Sequence, residues 1–436
     1  MTVAAFWIIE TEMKSLKTGG NRLTKRLRAE VWGCLAILAL LTGCGKRDTV
    51  EPTVGIDSPE RTWVRVLLFG NLRECTVATP AGFTAEGIGN GVLADFSDTA
   101  EMPLHLQNGR IRIGEHLLCR EVVLRPKDPY YFVIDGQGFR GNLYLQVRED
   151  ANSLQAINHV PLESYLLGVV GAEMHSYWEP EALKAQAVAA RTYCLAIQHR
   201  FGSGRSWDVM RTQANQVYNG LAAENPRIRQ AVLDTTGQLL IGPRSDANGK
   251  ESLFPAYYSS SCGGHTEDSR YVFGDDAVTL RGVECPWCES VARRRDFFWG
   301  PVFYPMDAVS GRLMERYPSL ERLERIVDVE VLRNGSQDRI TQVRLIGVNG
   351  QKDSLRGEDF RLSLDPTGRR LKSALVTMTK DKGGLLFENG RGFGHGVGLC
   401  QCGAQGMARQ GRNYMDILSF YYPDTRLVTI ETATAP

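Results

Sequence analysis

The 436-residue sequence has no apolar run long enough to cross a bilayer as a helix, no internal repeat, no low-complexity tract and almost no net charge. The first absence excludes a spanning helix, and the next two exclude a solenoid and a compositionally disordered chain. The balance of +1 is set by residues 1–43, where six Lys/Arg face three Asp/Glu; without that segment the balance is −2. No basic footprint for nucleic acid remains, so nucleic acid is not an expected partner. What is present is ordinary for a folded protein: 43% hydrophobic and 23% charged residues, with ample length for a core.

The basic residues at the start belong to a recognisable pattern. Arg22, Lys25, Arg26 and Arg28 precede the apolar run VWGCLAILALL (Val31–Leu41), which has the length of a signal-peptide core. The run ends in Leu41-Thr42-Gly43-Cys44, which resembles the bacterial lipobox, so Cys44 is the expected lipidation site; an ordinary secretory signal with an incidental cysteine is the alternative. A lipid anchor would hold the rest at a membrane surface outside the cytoplasm. Residues 1–44 are thus read as a lipoprotein signal, and the polar, proline-containing 45–60 as a tether.

From Val64 short β-branched and aromatic runs (VRVLLF, GRIRIG, REVVLRP, YYFVI, LYLQV) alternate with Gly, Asn, Asp and Pro, which predicts a β-rich module over 61–157. Cys75 and Cys119 lie within it and could pair. Residues 158–430 form the second region. Leu162, Leu166, Val169 and Val170 fall on one helical face, and Pro180 can open a second helix, PEALKAQAVAARTYCLAIQHR. On that helix Leu183, Ala187, Ala190, Cys194 and Ile197 make the expected buried face, and Arg191 falls off it. Strand-like alternation returns over 325–380. The expected fold is α+β, with β-rich segments surrounding a central helical core.

Three groups of residues carry chemistry. Glu173 continues the apolar stripe of the first helix near its C-terminal end, beside Gly171, Ala172 and Met174. Desolvation and the negative end of the helix dipole both disfavour its carboxylate, which suits a general acid; a solvent-facing glutamate or a pair with Arg191 is the plainer alternative. The segment GRGFGHGVGLCQCGAQG is a shaped glycine-rich loop that lacks the Lys-Ser/Thr ending of a phosphate loop. It offers His395, Gln401 and Gln405 as hydrogen-bonding groups, and Cys400 as a nucleophile beside His395. Finally, Cys262-x2-His265 and Cys285-x2-Cys288 together supply three thiolates and an imidazole, enough for a closed, structural zinc site; a Cys285–Cys288 disulfide competes for the same residues.

The stretches VPLESYLLGVVGAEM, EALKAQAVAARTY, TQANQVYNG, AVLDTTGQLL, YYSSSCGGHTED, FRLSLDPTGRRLKSALVTM, GRGFGHGVG, CGAQGMARQG and ILSFYYPDT occur in that order between Val64 and Leu427. Together they resemble the stage II sporulation protein D family, which includes the amidase-enhancer LytB proteins. The resemblance implies a lytic transglycosylase acting on peptidoglycan glycan strands already stripped of stem peptides by a cell-wall amidase. It implies Glu173 as the catalytic residue and the AARTY helix and HGVG loop as groove walls, pointing to Arg191, Tyr193 and His395. No cofactor is expected for the chemistry. A non-catalytic, glycan-binding enhancer of an amidase is the alternative it leaves open. The family's usual G-[ML]-S-Q-[YW]-G-A reads G-L-C-Q-C-G-A here, so Cys400 replaces a serine and Cys402 an aromatic. Family sequences also often lack the CPWC of Cys285–Cys288.

Overall fold

The structure, a computed structural model, describes residues 62–430 apart from 98–99, 150–151, 202–203 and 244–250. The expected lipobox with Cys44 and the expected tether at 45–60 lie outside the described residues. Helices of eight residues or more are labelled α1 (Leu162–Glu173), α2 (Pro180–Phe201), α3 (Pro226–Asp234), α4 (Met306–Arg316), α5 (Gly357–Leu364), α6 (Gln401–Arg409) and α7 (Tyr414–Tyr421). No described helix is long and apolar enough to cross a membrane. With strands in several sheets beside these helices, the fold is α+β.

Residues 63–161 form twelve strands in two sheets. Alternation builds them: Val64, Val66 and Leu68 of one strand, and Leu143, Leu145 and Val147 of another, all point into the core. Trp63–Leu72 and Leu154–Pro161 run antiparallel, and the short strand Val209–Met210, from beyond α2, adds parallel to the outer side of Trp63–Leu72. One apolar core therefore runs without a break from these sheets through α1, α2 and α6. Cys75 and Cys119, open to pairing by their shared region, are separate thiols, and Cys119 donates to the Glu121 carbonyl at 2.9 Å.

α2 departs from the amphipathic reading. Ala182, Leu183, Ala185, Gln186 and every residue from Ala187 to Cys194 are buried, so the helix is enclosed on all sides. Buried Thr192 finds its partners within the protein: it donates to the Val188 carbonyl and accepts from the Leu240 amide.

A second apolar core lies between Trp299 and Phe387. Strands Ile326–Asn334, Ile340–Gly347 and Lys352–Arg356 form one antiparallel sheet; Val302–Pro305, Gly384–Glu388 and Thr377–Asp381 form another, and α4 and α5 pack with them. The strand expected from LKSALVTMT is confined to Thr377–Asp381, because Leu371 and Ser373–Val376 are buried at consecutive rather than alternate positions.

The glycines of α1 have a packing reason. The helix lies on the turn Gly220–Ala223. A Cβ at Gly168 would stand 2.4 Å from the Tyr218 ring, and one at Gly171 would stand 2.0 Å from the Ala223 carbonyl oxygen. The buried pair Arg140–Glu224, at 2.6 Å, fastens the same turn to the sheets. Gly171→Ala is therefore expected to cost about 1–3 kcal/mol through overpacking. Gly311→Ala in α4, where a Cβ meets nothing within 4 Å, is expected to be neutral or to stabilise by up to about 1 kcal/mol. Denaturant unfolding of the two variants checks the contrast.

Candidate active site

An open cavity of about 830 Å³ lies between the end of α1 and the second core. One wall is Ala172, Glu173, the loop 212–217 and Tyr258–Ser260; the opposite wall is Arg316, Glu358, Arg361 and 366–368; Phe393–His395 and Gln401 contribute from the glycine-rich loop and α6.

Glu173 closes the last turn of α1, where the chain leaves the helix at Met174 in an extended conformation. The last turn carries no basic residue, so the negative end of the helix dipole is not offset there. The Val217 amide donates to Glu173 Oε1 at 3.0 Å, and Gln401 Nε2 donates to Oε2 at 3.4 Å. Gln401 Nε2 also faces the Oε1 of buried Gln186 of α2 at 3.5 Å. Burial pushes the carboxyl above the ordinary carboxylate range, against the opposing pull of the Val217 and Gln401 donors. The group is thus held by its hydrogen bonds while its charged form is disfavoured.

Behind the carboxylate the wall is a connected polar network. Gln216, wholly buried, donates to the Ala190 carbonyl and to the Tyr258 hydroxyl at 2.9 Å, and accepts from the Tyr165 hydroxyl at 3.1 Å. These bonds fix the loop that presents the Val217 amide.

His395 also faces the cavity. Glycines 392, 394, 396 and 398 all have positive φ, between 69° and 101°, and alternate with Phe393, His395 and Val397. His395 Nδ1 accepts from the Val397 amide at 3.0 Å, and the ring packs edge-on against Phe273. Burial pulls the imidazole down to about 4, so the ring is neutral at neutral pH, with its proton on Nε2.

A second carboxylate lines the cavity. Burial alone would raise the Glu358 carboxyl, but the Arg361 guanidinium outweighs it and holds the group low. Both Glu358 oxygens accept from Arg361, at 2.5 and 2.9 Å, and Arg361 also donates to the Leu371 carbonyl. Glu358 is thus an ionised partner of a cation, whereas Glu173 meets only neutral donors.

Of the sequence candidates, Glu173, His395 and Gln401 come together at this cavity, whereas Arg191, Tyr193 and Gln405 do not line it. Arg191, with 0% exposure, forms a two-pronged pair with Glu163 at 2.6 and 3.0 Å and donates to the Gln238 carbonyl. Glu163 opens α1 and Glu173 ends it, about 15 Å away along the axis. Tyr193 lies behind the cavity, where its hydroxyl accepts from wall residue Asn215 at 3.2 Å. Gln405 is buried and accepts from the Glu179 amide at 2.8 Å, tying α6 to the start of α2. The sequence reading missed Val217, Tyr258, Glu358 and Arg361. The first lies in the noted stretch TQANQVYNG, and its contribution is a backbone amide that no side-chain pattern advertises.

The cysteine set is also rearranged. Cys262, Cys285, Cys288 and Cys400 are all buried, with their four Sγ atoms within 4.8 Å of one another. His265 is not among them. Positive φ at Gly263 and Gly264 turns the chain, and His265 enters an antiparallel bridge with Glu284 while its Nδ1 lies 2.5 Å from the Thr266 carbonyl. The fourth thiol is Cys400, which also rules it out as a partner poised beside His395: its Sγ receives the Cys262 and Gly403 amides at 3.3 and 3.4 Å. Cys402, in place of the aromatic usual in the resemblance, is buried and does not line the cavity.

The Arg191 geometry predicts a structural phenotype. Arg191→Ala strands a buried carboxylate and is expected to cost about 3–5 kcal/mol. The loss should be seen in thermal or denaturant unfolding.

A sequence model of the family described as "Stage II sporulation protein" matches residues 150–241, the stretch from the strand before α1 through α2 to the strand Gln238–Pro243. An uncharacterized protein of Brachyspira hyodysenteriae is 30% identical over 297 residues, covering 68% of this chain and 74% of the relative. Stage II sporulation protein D of Bacillus amyloliquefaciens is 30% identical over 62% of this chain and 75% of its own length. The amidase enhancer of Bacillus subtilis is 28% identical over 61% of this chain and 40% of its own length. With Glu173 and Val217 inside the matched segment and a Stage II sporulation protein D 30% identical over three quarters of its length, the chain belongs to the SpoIID family.

Proposed function

We propose that this protein is a lytic transglycosylase that cleaves peptide-free peptidoglycan strands, with Glu173 as its single general acid and base. The observation that carries this reading is a carboxyl with a raised proton affinity beside a second carboxylate whose oxygens are both taken by Arg361. A glycosidase that uses water as nucleophile commonly needs two working carboxylates. A transglycosylase needs one.

In the proposed reaction, Glu173 gives its proton to the glycosidic oxygen as the bond from that oxygen to C1 of the muramic ring breaks. The resulting carboxylate, steadied by the Val217 amide and Gln401, takes the proton of the ring's own C6 hydroxyl. That oxygen closes onto C1 and forms the 1,6-anhydro end. Glu173 is returned protonated and no water is consumed. A stripped strand carries free lactyl carboxylates, and Arg316, an exposed guanidinium on the cavity wall, is the cation suited to meet one. Such strands would come from a cell-wall amidase, and a lipid on Cys44 would keep the enzyme outside the cytoplasm beside its substrate.

On purified peptide-free strands, the wild type is expected to release 1,6-anhydro-muramic ends, and Glu173→Gln is expected to fall by about 10²–10⁴-fold, the usual contribution of a positioned acid–base group. Because the first step needs the protonated carboxyl and burial raises its pKa, the wild-type rate should decline as pH climbs past that raised value, above the ordinary glutamate pKa of about 4.3. Product mass spectrometry across pH checks both. Binding without cleavage, coupled to faster hydrolysis by an added amidase, would replace this reading with the amidase-enhancer role named for the Bacillus subtilis relative.

A further inference from the structure

The four clustered thiols have no role in the chemistry above, yet they touch it. Cys262 follows the wall strand Tyr258–Ser259, and Cys400 ends the strand Leu399–Cys400 that runs parallel to it. Cys400 is also the cap of α6, whose first residue is Gln401, the donor to Glu173. Cys285 and Cys288 come from a separate loop whose turn packs against α6. The fit is tight: a Cβ at Gly403 would stand 2.6 Å from Cys285 Sγ, and one at Gly406 would stand 2.6 Å from Trp287.

Two further observations point to a cation held among these sulfurs. None of the four thiols is joined in a disulfide, and the Cys262 and Cys288 sulfurs lie 3.7 Å apart, beyond bonding distance. Beside them Arg339, 1% exposed, donates Nη2 to the Cys262 carbonyl at 2.6 Å, while its Nε and Nη1 have no hydrogen-bond partner. Its nearest carboxylate is Glu267, at 4.0 Å. A buried guanidinium with open donors fits a neighbouring site of net negative charge. Four thiolates around one divalent ion carry −2, which supplies that charge.

We infer that Cys262, Cys285, Cys288 and Cys400 bind one structural Zn²⁺, and that this site clamps Gln401 and the Ser259–Ser261 wall into the position that holds Glu173. Four buried sulfur ligands in a compact group are the donor set of a closed tetrahedral zinc site, with no position left for substrate or water. The site spans three segments distant in sequence, so the ion acts as a crosslink between the CPWC loop and two walls of the cavity. The metal assignment stands without the catalytic reading; only the clamping of Gln401 rests on it.

The experiment is metal analysis of the purified full-length protein together with Co²⁺ exchange. Expected are one zinc per chain, a cobalt spectrum of a four-thiolate tetrahedral centre, and loss of the ion in Cys400→Ser after exposure to a chelator. Cys400→His should restore zinc, since three sulfurs and one imidazole also close a site, and His265→Ala should keep one zinc per chain. Hydrogen exchange at the Gly403 amide should rise about tenfold or more on zinc removal, as a local clamp opens. That readout is independent of glycan cleavage. Zinc lost in His265→Ala but kept in Cys400→Ser would overturn the ligand set. Iron in the site, or a disulfide among the four cysteines with no metal, would overturn the zinc assignment. Full zinc loss with unchanged exchange at 400–403 would overturn the clamp.

Discussion

In the proposed reaction Glu173 has to be kept partly out of water and yet reachable by substrate, and the surrounding architecture fits that requirement. Desolvation raises the proton affinity of a carboxyl, but a carboxyl without fixed partners would rotate or recruit water. Here one oxygen takes the Val217 amide and the other faces Gln401. The glycines of α1 let the helix end settle onto the 220–223 turn, and the Gln216 network fixes the loop that supplies the amide. The apolar core shared by the sheets and α2 is the rigid body against which these small distances are set.

The opposite wall is built on a different physical basis. Its charges are neutralised internally, Glu358 by Arg361, so burial there produces no proton of unusual affinity. Two carboxylates lining one cavity thus have divergent environments: one desolvated and hydrogen-bonded only by neutral donors, the other paired with a cation. Such divergence is how a single site assigns distinct roles to chemically identical groups. The thiol cluster joins the CPWC loop, the segment after Tyr258–Ser259 and the start of α6, the three segments that the proposed zinc would hold together.

Much of this was legible in the sequence, and the failures have definite causes. Glu173 was visible because a charged residue at the end of an apolar stripe conflicts with its surroundings. His395 was visible because alternating glycines mark a loop shaped around one side chain. Arg191 is misplaced by a reading that gives α2 one buried face; an enclosed helix buries its polar face too, and there an arginine serves a buried ion pair. Cys400 was missed as a thiol-cluster member because it is 112 residues from Cys288, and knuckle spacing captures only ligands close in sequence. The contribution of Val217 is a backbone amide, which depends on where the chain runs and not on the residue type. Helix α5, within the strand-like stretch 325–380, shows tertiary packing overriding short-range alternation.

The central claim is that one carboxyl suffices because the substrate's own hydroxyl, and not water, attacks the anomeric carbon. Cleavage of peptide-free strands in heavy-oxygen water tests this most directly. The account predicts anhydro-muramic ends with no heavy oxygen incorporated. Reducing ends carrying one heavy oxygen atom would contradict it, since a second base would then have to activate water and Glu358 would have to be released from Arg361.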